Sequence, residues 1–362
     1  MIYLDYQATT PLAPEARDAM LPWLGGPETM GFGNPHSPHR MGRQAAAAVE
    51  VAREQVAALL PPGGRVIFTS GATEAINLAI KGTAHPGSVM AASAIEHAAV
   101  LDCLESLRAT SEAHIVPVDR EGLVNAQAPL PDRLGLLATM QVNNEIGTIQ
   151  PVEALADAAH RAGALFLCDA VQGAGKLAPP DNADLIAISA HKLYGPKGIG
   201  ALWVRDGVAL DPQIHGGGQE QGLRSGTLSP ALCAGFGAAA KLSKERMEAD
   251  AAHVETLWNR ARELFAGWTL NGSAEARWKG NLNLRREGLD VARLMSDLRT
   301  ICFSAGSACA SGSGRPSHVL RALGLSDAQA KSSIRIGFGR YTTTEEIEQA
   351  AAQIDRAAEG QE

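Results

Sequence analysis

Short apolar runs alternate with helix-like stretches over the first two hundred residues. Val66–Ser70, Ser88–Ala92 and Leu134–Val142 are predicted to be buried strands, and each is followed by a polar turn and then a helical stretch. From residue 42 to residue 60 apolar side chains recur at helical spacing, and the Pro-Pro-Gly-Gly run at 61–64 is predicted to end that helix. Alternating strands and helices predict an α/β fold with a large, mainly parallel sheet covered by helices on both faces.

The pattern changes after residue 200. Residues 214–229 are glycine-rich, and a long helix is predicted from about Pro230 to Phe265. The remainder predicts a smaller α+β domain with strands at Asn281–Leu284, Ile301–Ser304 and Ile334–Phe338 and helices at Asp290–Leu298 and Glu345–Ala357, the last begun by a Thr343/Glu346 capping box. We expect a large α/β domain at 16–250 and a small α+β domain at 1–15 and 251–362.

Composition and charge exclude several classes of protein. The net charge of −7, without any block of Lys and Arg, argues against direct contact with nucleic acid. No apolar run has the length that crosses a membrane, and the amino-terminal residues, with an early acid and no basic region, do not predict a signal peptide. Five cysteines without paired spacing are typical of a reducing compartment, so we expect a cytoplasmic protein.

An acid and a lysine end two successive apolar runs. The run beginning at Phe166 reaches Asp169, and the run beginning at Ala187 reaches Lys192. Taken singly, Asp169 could cap a turn and Lys192 could be a solvated surface charge. Together they predict a pyridoxal phosphate site, in which the lysine forms a Schiff base and the carboxylate keeps the ring nitrogen protonated.

Other polar residues follow predicted strands, where ligands of open α/β sheets bind. Ser70-Gly-Ala-Thr73 could bind a phosphate at a helix start, or Ser70 could simply be an N-cap. His97 could stack on a cofactor ring and transfer protons, although a surface histidine is commoner. Gln172 could bind the phenolic oxygen of the cofactor.

Two further residues belong to the predicted small domain. Cys309 lies in a run of small residues from Ser304 to Gly314, which predicts a mobile loop that carries either a nucleophile or an incidental thiol. Arg335 could bind the α-carboxylate of an amino acid or form a surface ion pair. His36 and His39 have no nearby acid, so no metal site is predicted, although Cys309 could be a transient iron–sulfur ligand.

An ordered series of segments covers nearly the whole chain and resembles one family. The segments are Tyr3–Pro11, Gly33–Pro35, Thr69–Glu74, Glu96–His97, Val142–Gly147, Cys168–Gln172, Ser189–Lys192, Tyr194–Gly200, His215–Gly218, Arg224–Thr227 and Ser304–Cys309. They resemble the cysteine desulfurases of the class V aminotransferase superfamily, which are fold type I pyridoxal phosphate enzymes. The Gly-Ser-Ala-Cys run resembles the branch with a long cysteine loop that serves iron–sulfur assembly.

The resemblance implies a role for each matching position. Lys192 would be the Schiff-base lysine and the base at Cα, Asp169 would pair with the ring nitrogen, and His97 would stack on the ring. The resemblance places Gln172 and Asn144 at the ring or substrate, Ala72, Thr73, Ser189 and His191 at the phosphate, and Thr227 at the phosphate of the other subunit, which implies a homodimer. Arg335 would hold the carboxylate of the substrate, and Cys309 would take the sulfur.

The implied reaction converts L-cysteine to L-alanine and leaves a persulfide on Cys309 for a sulfur-acceptor protein, either an iron–sulfur scaffold or a thiolation relay. A selenocysteine lyase or an aminotransferase on the same fold, and a non-catalytic cofactor-binding partner in a sulfur relay, are the alternatives. Ala190 and Val171 stand where the family often has glycine and threonine, and we expect both to be tolerated. The chain ends soon after its last predicted helix, which argues against the scaffold docking that longer relatives use.

Overall fold

The computed structural model describes residues 1–306 and 316–361. Cys309 therefore lies outside the described residues. In chain order the strands are β1 (Ile2–Tyr3), β2 (Gly64–Thr69), β3 (Val89–Ser93), β4 (Glu112–Val116), β5 (Leu134–Met140), β6 (Leu165–Asp169), β7 (Leu185–Ser189), β8 (Gly200–Arg205), β9 (Thr269–Leu270), β10 (Asn281–Arg285), β11 (Ile301–Cys302), β12 (Ser304–Ala305) and β13 (Ser333–Gly337). The α-helices are α1 (Pro14–Met20), α2 (Arg40–Ala57), α3 (Ala72–Thr83), α4 (Ala98–Ser106), α5 (Val152–Arg161), α6 (Pro230–Leu264), α7 (Val291–Asp297), α8 (His318–Ala322), α9 (Asp327–Lys331) and α10 (Thr344–Glu359).

A seven-stranded sheet forms the centre of the larger part of the fold. Its order is β2-β8-β7-β6-β5-β3-β4, and the strands from β7 to β4 run parallel. Strand β8 is antiparallel to both of its neighbours, because the connection from β7 is too short for a crossover helix. The predicted mainly parallel sheet is confirmed.

Strands β5, β6 and β7 are mostly apolar because both of their faces are covered. Alternate residues belong to different cores: Phe166 packs in the core beside α2, α5 and α6, whereas Leu167 packs in the core beside α3 and α4. The prediction of helices on both faces of the sheet is therefore confirmed.

A further core, the smaller core, lies under the four-stranded sheet β12-β13-β10-β9. Leu282 and Leu284 of β10 and Ile336 of β13 pack there against α7 and α10, and the predicted capping box at Thr343 begins α10. Helix α6 contributes to this smaller core through the segment Val254–Ala261, and Phe236 of the same helix packs in the large-sheet core beside α2 and α5.

One expectation needs correction, and one strand was not predicted. Strand β7 ends at Ser189, so Lys192 is not a strand end; it is the last residue of the 3₁₀ turn Ala190–Lys192, which forms because the Leu193 and Gly195 N–H groups both donate to Ala190 O. The edge strand β4 was not predicted, because at the edge of the sheet four of its five residues are at least partly exposed, and Glu112 and His114 interrupt its apolar pattern.

We expect Phe166→Ala to destabilise the fold strongly, because Phe166 is fully buried in the strand that ends at Asp169. Loss of the ring and the resulting cavity should lower the free energy of unfolding by about 3–5 kcal/mol. Urea unfolding measures this loss, and Val51→Ala, at an exposed position of α2, is the control, with an expected change within about 0.5 kcal/mol. Equal effects of the two substitutions would contradict the packing described above.

Candidate active site

A cavity of about 520 Å³ opens at the carboxyl ends of β5, β6 and β7. Its position is the one that parallel α/β sheets use for ligands. The structure brings ten of the predicted residues together around it, namely Ala72, Thr73, His97, Asn144, Asp169, Gln172, Ser189, His191, Lys192 and Arg335.

Lys192 faces backbone oxygens of the amino-terminal segment. Its Nζ donates to Gln7 O at 2.5 Å and to Ala8 O at 2.8 Å. Sequence reasoning missed Gln7 and Ala8 as parts of the site, because they act on Lys192 through main-chain oxygens, which no side-chain pattern reveals.

Asp169 is the last residue of β6, and its carboxyl is buried. The Val171 N–H donates to Oδ1 at 3.0 Å. Burial raises the pKa of this carboxyl, whereas the hydrogen bond from the Val171 N–H and the electrostatic influence of His97 and Lys192 oppose that rise. A bound cation in the cavity would stabilise the ionised form of Asp169 further.

Gln172 carries a buried acceptor that is unsatisfied within the described part of the chain. Its Nε2 donates to Gln7 O at 2.9 Å, while its Oε1 has no hydrogen-bond partner there. A buried polar atom without a partner is costly, so a donor on a bound molecule would fit at this point of the cavity wall.

One end of the cavity is suited to an anion. Helix α3 begins there, with Gly71 as its N-cap, so the alternative reading of Ser70 as N-cap is wrong. A Cβ at Gly200 would lie 2.7 Å from the Gly71 carbonyl carbon, so only glycine allows this close approach. The first N–H groups of α3 and the Thr73 hydroxyl are donors of the kind that bind phosphate.

His191 lies at the same end, and its Nδ1 is 3.2 Å from Thr9 Oγ1. Burial lowers the pKa of His191 to about 4, and repulsion from Lys192, Lys197 and Lys176 adds to the effect. The imidazole is therefore neutral near pH 7 and would bind a phosphate as a hydrogen-bonding group. Lys197 also lines the cavity and was missed, although it lies within the Gly-Pro-Lys-Gly motif.

His97 is the N-cap of α4. Its Nδ1 accepts from the Ala99 N–H at 3.0 Å, so in the neutral ring the proton is on Nε2. The preceding residue, Glu96, is fully buried, and its Oε1 accepts from the Ser93 hydroxyl and from the Met140 N–H at 2.9 Å. Burial raises the pKa of Glu96 to about 8. Sequence reasoning did not single out this buried acid, and its place directly after an apolar run was the available signal.

Arg335 is fully buried in β13, so its predicted alternative as a surface ion pair is wrong. Its Nη2 donates to Asp5 Oδ1 at 2.7 Å, and its Nη1 donates to Asn144 O at 3.0 Å. Its Nε is buried without a partner in the described residues. The guanidinium is thus held at the cavity wall with one donor unused, and Asp5 is a partner that the sequence did not indicate.

Among the described residues, one predicted site residue, Thr227, does not line this cavity. Thr227 is exposed. The loop before it is held by two ion pairs, each with an N–O distance of 2.7 Å: Arg53 with Glu220, and Arg224 with Glu74. Cys309 falls in 307–315, outside the described residues.

Comparison with known proteins agrees with this arrangement. The aminotransferase class-V family model matches residues 2–350. The cysteine desulfurase IscS of Shewanella denitrificans is 44% identical over 378 residues, which cover 98% of this chain and 92% of that protein. The chain belongs to the cysteine desulfurase family.

Solved structures extend the likeness to the whole fold. A NifS-like protein superposes with a TM-score of 0.89 at 32% identity and covers 98% of both chains. The structure of SspA in complex with cysteine has a TM-score of 0.82 at 36% identity, covering 95% of this chain and 100% of that one. The predicted fold type I architecture of a cysteine desulfurase is confirmed.

Cysteine desulfurases of class V are pyridoxal phosphate enzymes, and the cavity of this family member fits that cofactor. It combines an amine, a buried carboxyl, the unused Oε1 of Gln172 and an anion-binding helix start. Among the described residues, no cluster of three or more His, Cys, Asp or Glu side chains could hold a metal ion. No helix in that part of the chain has the length and apolar character needed to span a membrane.

We expect Glu96→Gln to make folding stability less sensitive to pH. The folded-state pKa of about 8 lies above the ordinary value of 4.5, so the stability that Glu96 contributes is fully present below pH 4.5 and is lost as pH rises towards 8. Glutamine keeps the acceptor for Ser93 and Met140 and does not ionise.

Between pH 5 and pH 8 the free energy of unfolding of the parent should therefore fall relative to that of Glu96→Gln by up to about 4 kcal/mol. Urea unfolding at several pH values measures the difference, and Glu54→Gln, at an exposed position of α2, controls for the loss of one negative charge. Parallel pH profiles of parent and variant would show that Glu96 is ionised in the folded protein.

Proposed function

We propose that this protein removes the sulfur atom of L-cysteine, forms L-alanine and leaves a persulfide on Cys309 that passes to an acceptor protein. The observation that carries the proposal is one cavity lined by Lys192, Asp169, His97 and Arg335 in a chain that is 44% identical to a cysteine desulfurase. The SspA structure contains cysteine, which supports the same substrate class for this relative.

Different residues of the cavity would bind the phosphate and the ring of pyridoxal phosphate. Ala72, Thr73, Ser189 and His191 would bind the phosphate, and Asp169 and His97 would bind the ring. Gln172 and Asn144 would contact the ring or the substrate. When bound, the cofactor supplies an aldehyde for amines and a ring that accepts the electron pair released at Cα.

Two groups that line the cavity would act on the substrate. Lys192 would take the Cα proton with the same amine that otherwise faces Gln7 O and Ala8 O. Arg335 would bind the α-carboxylate, because its buried Nε–H is unused and its fork is already oriented by Asp5 and Asn144. Because the Arg335 guanidinium is held in one orientation, it would also fix the orientation of the sulfur-bearing side chain of the bound L-cysteine.

Sulfur transfer would take place at Cys309. Its thiolate would attack the sulfur of the substrate, so that an S–S bond forms as the Cβ–S bond breaks. The Cβ–S electron pair would end in a new C–H bond of alanine after protonation. In sum, L-cysteine and one protein thiol give L-alanine and one protein persulfide, so no external oxidant or reductant is needed.

We also propose that the active enzyme is a homodimer. Eleven large apolar side chains are exposed in the described residues, and five of them lie within residues 12–32, including Leu24 and Phe32. A second copy would cover such a surface. Thr227, exposed at the end of a loop held by ion pairs, would reach the phosphate in the other subunit.

The remaining assignments are proposals as well. Residues 16–250 would form the cofactor-binding domain, and residues 1–15 with 251–362 would form the domain that carries Cys309. A reducing, cytoplasmic setting would keep Cys309 available between turnovers. The acceptor would be an iron–sulfur scaffold or a thiolation relay. The relatives do not favour a selenocysteine lyase, an aminotransferase or an inactive partner.

We expect Cys309→Ala to abolish sulfur transfer while keeping the cofactor. Alanine formation from L-cysteine should fall at least ~100-fold, because the nucleophile is missing, whereas the visible absorbance of the bound cofactor should persist. Lys192→Ala should lose both alanine formation and the visible absorbance of the bound cofactor. Cys302→Ala removes a different thiol, which is partly exposed, and is the matched control. Parental rates of alanine and persulfide formation in Cys309→Ala would refute the assignment.

We expect Thr227→Ala to weaken cofactor binding roughly tenfold, since it would remove one hydrogen bond to a charged phosphate. Titration of cofactor-depleted protein with pyridoxal phosphate measures the affinity, and sedimentation measures the oligomeric state. Thr256→Ala, at an exposed position of α6, is the control. A monomer with full cofactor affinity would contradict the shared site.

A further inference from the structure

The chain on either side of residues 307–315 is held next to the cavity. On one side the Gly306 N–H donates to Ser333 O at 2.7 Å, beside Arg335. On the other side the Ser317 hydroxyl donates to Glu145 Oε2 at 2.5 Å, and His318 Nε2 is 2.9 Å from Glu96 O. Both described ends of the Cys309 segment therefore contact parts of the chain that position site residues.

Glu145 is a rigid attachment point. Its side chain is buried, its own N–H donates to Asn143 Oδ1 at 2.8 Å, and its carbonyl accepts from Asn283 Nδ2 at 3.0 Å. It directly follows Asn144, which lines the cavity. Glu145 itself does not line the cavity, so its buried carboxyl has a partner in Ser317 and no direct part in binding a ligand there.

The two contacts at the start of α8 have different surroundings. Ser317 is buried and is also the N-cap of α8, since its Oγ accepts from the Leu320 N–H at 3.1 Å. His318 is exposed, and because a carbonyl only accepts, its Nε2 donates to Glu96 O, one residue before His97. The start of α8 is thus tied to the residues adjacent to Asn144 and His97.

We propose that Glu145, Ser317 and His318 are positioning residues for sulfur transfer. By fixing where the chain continues after residue 315, they set how readily the Cys309 thiolate meets the sulfur of the substrate, without contacting cofactor or substrate themselves. The inference rests on the proposed function, and it assigns a role to a buried glutamate, a serine and a histidine that the mechanism above leaves unused.

The test compares two N-cap serines of the same domain. Ser317→Ala removes a helix cap and the contact with Glu145, whereas Ser326→Ala removes only the cap of α9, whose Oγ accepts from the Gln329 N–H at 3.3 Å. We expect persulfide formation in a single turnover of the holoenzyme to slow roughly tenfold in Ser317→Ala and to stay near the parental rate in Ser326→Ala.

Cofactor absorbance and the absorbance change on adding L-cysteine should be unaffected in both serine variants, because neither residue lines the cavity. Glu145→Gln keeps an acceptor for Ser317 and should retain most of the rate, while Glu145→Ala should resemble Ser317→Ala. His318→Ala changes an exposed residue, so it tests the second contact even if Ser317→Ala does not fold, and it should slow transfer as well.

Equal rates in Ser317→Ala and Ser326→Ala, or a parental rate in His318→Ala, would overturn the proposal. A loss of cysteine affinity that matches the loss of rate would also overturn it, because it would indicate a role in substrate binding. Failure of the proposed function looks different: the parent holoenzyme itself would then form no alanine from L-cysteine.

Discussion

The path of residues 4–10 between the two cores is the constraint on which the site depends. Leu4 packs in the smaller core and accepts from the Gly337 N–H at 2.8 Å, whereas the Thr10 N–H donates to His191 O at 2.9 Å beside the large sheet. Between these anchors Asp5 binds Arg335, and the carbonyls of Gln7 and Ala8 bind Lys192. One short segment therefore sets the position of the two cationic groups that would meet the amino-acid substrate of the proposed reaction.

The sequence was sufficient to predict the large sheet, apart from its edge strand β4, and most of the side chains that line the cavity. Strands buried on both faces are continuous apolar runs, and a polar residue that ends such a run, such as Asp169, stands out. Strand β4 does not stand out, since an edge position needs no apolar pattern. The 3₁₀ turn that ends at Lys192 depends on hydrogen bonds to Ala190 O, which a pattern of side chains does not encode.

Partners far apart along the chain were beyond sequence reasoning. Asp5 with Arg335 and Glu145 with Ser317 are separated by 330 and 172 positions, and each member alone is an ordinary polar residue. Glu96 carried a signal, an acid directly after a buried run, but its protonation depends on how completely the fold removes it from water. Burial likewise raises the pKa of Asp169 and of Glu145. These two acids and Glu96 therefore ionise less readily than exposed acids, and a nearby cation favours their ionised form.

Helix α6 has a mechanical consequence for the two cores. Its 35 residues extend about 50 Å, with Phe236 packed against the large sheet and Trp258 in the smaller core. Neither core can lose its packing without uncovering part of the same helix, so the two should melt in one cooperative transition. If the smaller core moves relative to the large sheet while α6 stays packed against both, the helix must bend between Phe236 and Trp258. The bending stiffness of α6 therefore limits that movement.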